Sequence, residues 1–197
     1  MINSKFKLII AALLLSISCT SNKTEEKEVA KDEHAHHDHS AHAGASNSKS
    51  PRTAAMANIG SNHVHIDYSA PSVRGREIFG GLVAYDEVWV TGAHSATSIS
   101  FNEDLEIEGE VLNAGKYALF TIPGKESWTV ILNTNYEQHL ADDFDEAEDV
   151  ARFKVPSISL NEAEEQLKFE VISKGDGEGE IVFKWANKSF VLKIRMA

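Results

Sequence analysis

Residues 51–197 predict an all-β fold, an antiparallel β-sandwich or a jelly-roll-like barrel with one acidic loop or short helix. Three observations carry that expectation. Apolar residues recur with period two, the pattern of a strand with one buried face. The apolar runs are short and rich in β-branched and aromatic residues. Turn-forming residues punctuate them at the close spacing typical of sandwiches and barrels.

In chain order, Val64, Ile66 and Tyr68 alternate with His63, His65 and Asp67 and define a first strand. Further strands are expected over residues 96–101, 105–107, 117–122, 128–133, 151–155, 167–173, 180–185 and 189–196. The chain reverses at Asn102-Glu103-Asp104, Glu108-Gly109, Asn113-Ala114-Gly115, Pro123-Gly124 and the glycine-rich segment 175–179. Residues 135–150 break the pattern: they are acidic with a weak helical period, and predict a loop or one short helix. Long loops on β scaffolds often carry the functional site.

The amino-terminal fifty residues are organised differently. Lys5 and Lys7 precede an apolar run over residues 8–17, and Ser18 and Cys19 follow, the layout of a secretory signal. The run is too short for a bilayer span, which needs about twenty residues. The lone cysteine resembles the lipobox of bacterial lipoproteins, although Leu15 and Ser16 stand where the motif has leucine one position later. Residues 1–19 are thus read as a lipoprotein signal peptide with lipidation at Cys19, the alternative being an ordinary signal peptide cut nearby. Residues 20–50 contain almost no large apolar side chain and predict a disordered tether. Within it His34, His36, His37, His39 and His42 alternate with Asp and Ala, a composition able to wrap copper, nickel or zinc without a preformed fold. Residues 51–197 remain as one folded domain.

Charge and cysteine usage narrow the function. A net charge of -11 argues against a nucleic-acid partner, because phosphate binding needs clustered Lys and Arg. Cys19 is the only cysteine, so the domain must be held by packing and not by disulfides. No nucleophile elbow, phosphate loop or paired catalytic carboxylates are present in the sequence.

Five strings carry a resemblance: Tyr68-Ser69-Ala70-Pro71-Ser72-Val73-Arg74-Gly75-Arg76, Ile78-Phe79-Gly80, Trp89-Val90-Thr91-Gly92-Ala93, the run 114–123 that begins Ala114-Gly115-Lys116-Tyr117, and Glu146-Ala147-Glu148-Asp149-Val150. In this order they resemble the domain of unknown function 2911 family, secreted β-domains of Gram-negative bacteria with no assigned activity. The resemblance implies a β fold and export, to the periplasm or, as an outer-membrane or cell-surface lipoprotein, to the envelope. The chain departs from the family pattern at Ala70 and Val90, where arginine is usual, and at His94-Ser95, where Asn-Glu is usual.

The domain's four histidines form the candidate site. His63 and His65 lie two apart on one strand and so share a face, with Asp67 continuing the row. His94 is expected at the start of the following strand and His139 in the acidic loop, so the four imidazoles converge if that loop folds over the strand. Neutral imidazole is the common ligand of zinc and copper. Asp142, Asp143 and Asp145 would then orient the histidines. Arg74 and Arg76 around Gly75 suit either a clamp for carboxylate or phosphate or, as the stronger expectation, salt bridges to the acidic loop. Trp89, Trp128 and Trp185 suit core packing better than a sugar-stacking platform. Three functions follow: a lipid-anchored envelope protein that binds copper or zinc; a metal-dependent hydrolase with a base from residues 142–149; and a metal-free sugar- or protein-binding module. Protein partners are not indicated.

Overall fold

A computed structural model describes residues 48–197; the signal segment with Cys19 and the tether histidines His34, His36, His37, His39 and His42 lie outside the described residues. Ten strands form two antiparallel sheets. In chain order they are β1 Arg52–Ile59, β2 Asn62–Ser69, β3 Thr97–Phe101, β4 Leu105–Ile107, β5 Glu110–Leu112, β6 Gly115–Ile122, β7 Ser127–Asn133, β8 Asp149–Pro156, β9 Ile158–Gly175 and β10 Glu178–Met196. One sheet runs β1-β2-β3-β6-β7-β8, the other β5-β4-β10-β9. The sheets pack face to face as an open sandwich. Of the two all-β arrangements expected, the sandwich is the one formed, and the sheets do not close into a barrel.

The alternation read in the sequence is the alternation of burial. Along β2, Val64, Ile66 and Tyr68 point into the sandwich while His63, His65 and Asp67 face out. Between the sheets Trp128, Phe183, Phe190 and Phe169 form an aromatic centre, with Phe183 and Phe190 stacked at 4.9 Å. Burial of this kind stabilises by about 25 cal/mol for each Å² of apolar surface removed from water. A smaller cluster lies on the opposite face of the larger sheet. There Phe120 of β6 and Ile131 of β7 are covered by Tyr136, Ala141 and Phe144 from the acidic segment. Phe144 meets Phe120 edge-on at 5.2 Å, so the loop over β6 and β7 is anchored by packing despite its charge.

Several strand boundaries differ from expectation. Residues 180–185 and 189–196 belong to one strand, β10, interrupted by a bulge at Ala186, whose φ is 49°. The extra residue reverses the alternation locally, and the sequence pattern splits there. The expected strand at 167–173 extends to the full β9 because β10 pairs with it far beyond its apolar section. Strand β1 carries no apolar pattern of its own and is mostly exposed; it forms through backbone pairing with β2 over its whole length. The acidic segment contains no α-helix, only a 3-10 turn at Glu146–Glu148, capped by the Asp145 carboxylate accepting from the Ala147 N–H. The β9–β10 reversal uses Asp176 and Gly177, both at positive φ, the Asp-Gly pair that matches the twist of a tight hairpin.

Candidate functional site

The outer face of β2 is organised from its first residue. Asn62 is fully buried; its amide nitrogen donates to the Glu103 carbonyl at 2.7 Å and its side-chain oxygen accepts from the Asn102 and Glu103 N–H groups. The turn is thereby held against β2, and the Asn102 side chain accepts the His63 backbone N–H. The His63 and His65 rings lie with centroids 6.0 Å apart. His63 Nδ1 is 2.8 Å from Asn58 Oδ1, and His65 Nε2 is 3.3 Å from Asp67 Oδ1. Among the described residues, His63 Nε2 and His65 Nδ1 have no protein partner. One nitrogen of each ring is thus steadied by the protein and the other is left without a partner among the described residues, the arrangement metal-ligating histidines use. On the edge strand, Met56 pairs directly with His65 and is 51% exposed. Cross-strand partners hold their Cβ atoms about 5 Å apart. Met56 is not marked by the sequence because β1 shows no strand periodicity; its only signal is a large side chain in a run of small alanines.

His94 and His139 lie on two other segments that meet through their backbones. Ser95 and His139 make an isolated antiparallel bridge, the Leu140 N–H donates to the His94 carbonyl at 2.7 Å, and the Ala96 N–H donates to the Gln138 carbonyl at 3.0 Å. The acidic loop thus closes onto the chain before β3 and not onto the outer face at His63. His94 does not open the strand as expected; it sits three residues ahead of β3 with φ of 64°. Gly92 packs against the Ser69 carbonyl so closely that a Cβ there would lie 3.2 Å from it, which places this segment at the far end of β2. His63 is six residues up the strand, about 20 Å of extended chain away. The four histidines therefore do not converge, and among the described residues no group of three or more His, Cys, Asp or Glu side chains is placed to hold a metal. Asp142 and Asp143 are exposed, and Asp145 is used as the cap of the 3-10 turn.

The arginines and tryptophans meet at a third place. A cavity of about 410 Å³ is bordered by Trp89, Trp185, Arg74, Arg76, His94 and Leu140, with Val83, Val90, Leu82 and Lys49 among the other lining residues. The strongest expectation for the arginines, salt bridges to the acidic loop, is not met. Neither has an ion pair among the described residues; Arg76 Nη2 donates to the Ser72 carbonyl at 2.6 Å and Arg74 Nη2 to the Lys49 carbonyl at 3.2 Å. Backbone carbonyls are nearer because Arg74, at φ 51°, and Gly75 turn the chain back on itself. Trp128 and Trp185 are core residues as expected, each 1% exposed, whereas Trp89 stacks on Trp185 at 5.7 Å and remains half-buried at the cavity wall. Both core indole N–H groups are buried without a partner, and of the two Trp185 borders the cavity.

Residues 50–194 match the model of a family described as a protein of unknown function, DUF2911, and the chain belongs to that family. No curated protein and no solved structure matches the chain. Of the departures from the family pattern, Val90 and His94 border the cavity and Ala70 precedes Pro71, which also lines it.

Proposed function

We propose that this member of the DUF2911 family is an exported, lipid-anchored envelope protein whose domain binds a transition-metal ion, copper or zinc, on the outer face of β2. Cys19 would carry the lipid and the tether histidines would gather the metal. The supporting observation is the His63–His65 pair, two imidazoles 6.0 Å apart with one nitrogen of each ring free. Asn58 and Asp67 orient the rings. Met56, opposite His65, adds a thioether, a soft ligand that favours the monovalent state of copper over zinc. Hydrolysis by the same pair has less support. A catalytic zinc site takes three strong protein ligands and an open position, and the nearest carboxylate, Asp67, is already engaged with His65.

The test compares the full chain with a variant lacking the tether histidines and with His63→Ala/His65→Ala. About one equivalent of metal should persist without the tether histidines and vanish when the pair is also removed. Retention of that equivalent after removal of the pair would overturn the domain site. Cys19→Ser should release the protein from the membrane fraction; persistence there would overturn lipid anchoring.

A further inference from the structure

The geometry points to a second site, independent of the metal reading: we propose that the cavity at Trp89 and Trp185 binds an anionic amphiphile, a molecule with one carboxylate or phosphate head on an apolar body. At about 410 Å³ the cavity falls in the range of small-molecule sites. Its lining is segregated by chemistry. Trp89, Trp185, Val83 and Val90 supply an apolar wall, while Lys49, Arg74 and Arg76 supply positive charge.

The charge is the informative part. In a chain of net charge -11, two arginines and a lysine border one cavity with no acidic partner among the described residues. The nearest acidic contact is the Glu165 carboxylate, which accepts the Arg74 backbone N–H at 2.9 Å and not its guanidinium. Arg76 is fixed by its Nε and Nη2 donating to the Val73 and Ser72 carbonyls, and Arg74 by Nη2 donating to Lys49. Each guanidinium has five N–H donors in a rigid fork, so both keep donors for an incoming oxyanion while their own positions are set.

The apolar part continues outward. Leu82, 54% exposed, and Leu140, 40% exposed, stand at this cavity, so an apolar tail leaving the tryptophan wall would still meet hydrocarbon. Strain marks the same place: Arg74, His94 and Leu140 hold φ of 51°, 64° and 53°, a conformation non-glycine residues rarely adopt and one that concentrates at ligand sites. A sugar suits the cavity less well. Its hydroxyls need partners around the ring, whereas here the polar donors gather on the arginine and lysine side and Trp89, Val83 and Val90 face it with apolar surface.

Tryptophan fluorescence of the full chain, titrated below micelle-forming concentrations, tests this. Dodecanoate, dodecyl phosphate and dodecanol share a tail and differ in the head. Saturable binding is expected for at least one of the anions, with the preferred one identifying the head as carboxylate or phosphate. Dodecanol, and the anion with Arg74→Ala/Arg76→Ala, should each bind about tenfold more weakly or worse, the scale of losing a charge-assisted hydrogen bond. Leu82→Glu, at an exposed position that leaves the fold intact, should also weaken the anion while near-ultraviolet circular dichroism is unchanged. The proposal is overturned if neither anion saturates, if dodecanol binds as tightly as the anions, or if the arginine variant binds like the parent.

Discussion

The outer face of β2 and the cavity at Trp89 place chemistry by opposite means. On β2 the two imidazoles are neighbours because they are two residues apart on an extended strand, and only Asn58, Met56 and Asp67 need be added. At the cavity the functional groups come from residues 49, 74, 76, 89, 94, 140 and 185, carried by the segment before β1, the long β2–β3 connection, the acidic loop and β10. The first site is local and lies on the surface of the sandwich. The second shares Trp185 with the core, so its shape depends on the packing of both sheets. A local site can be removed whole without disturbing the fold, whereas at the cavity the exposed arginines and Leu82 can be changed freely but the Trp185 wall cannot.

The sharpest way to break this contrast is Trp185→Ala. The side chain is fully buried, so urea unfolding should show a loss of about 3–5 kcal/mol together with loss of the cavity wall; a cost below about 1 kcal/mol would detach the cavity from the core. Asn62→Ala comes next. It leaves the N–H groups of Asn102 and Glu103 and the Glu103 carbonyl without their buried partner, with an expected loss of about 1–3 kcal/mol. Metal affinity at the proposed His63 site should fall with it, because Asn102 would lose its place beneath that residue, and a metal titration under conditions where the variant remains folded reads this directly.

A smaller effect is expected on the outer face of the second sheet. Glu170 accepts from Lys184 at 2.7 Å and pairs with Lys168 at 2.9 Å, and these hydrogen bonds hold its carboxyl below the ordinary range. Because the folded value is lowered, its contribution is complete above the unfolded carboxylate value of about 4.3. It is lost as pH falls from there through the folded value. Glu170→Gln should cost less than about 1 kcal/mol at neutral pH, and the difference from the parent should close in acid. Smallest of all, His63→Ala/His65→Ala should change stability by no more than about 0.5 kcal/mol while abolishing the domain's metal. A stability loss as large as that of Asn62→Ala would show that the β2 face is structural.

Most strands were legible because their side chains report burial. Trp128 to Asn133 and Leu105 to Ile107 were bounded within a residue: Leu105 and Ile107 alternate with a partly exposed Glu106, and Trp128 to Asn133 is a short β-branched and aromatic run buried on both faces of the sheet. Strand β1 was not legible because only Ile59 at its end is fully buried and its inward positions are otherwise small alanines, so its backbone pairing with β2 leaves little trace in its side chains. The bulge at Ala186 was hidden for a related reason: one inserted residue looks like a turn when only periodicity is read. Among site residues, the pairing of His63 with His65 could be read from spacing. The association of His94 with His139 rested on where the acidic loop folds, and Phe144 on Phe120 decides that.

The sequence by itself determined the all-β class, the outward face of β2 and the family, because strand periodicity, turn chemistry and ordered motifs are local properties of the chain. Only the tertiary structure decided that His94 and His139 lie toward the far end of β2 from His63 and that arginines without an ion pair among the described residues border a tryptophan-walled cavity. Those relations join residues far apart in the chain, and their geometry is set by which sheet faces and loops pack together, a quantity that no local pattern encodes.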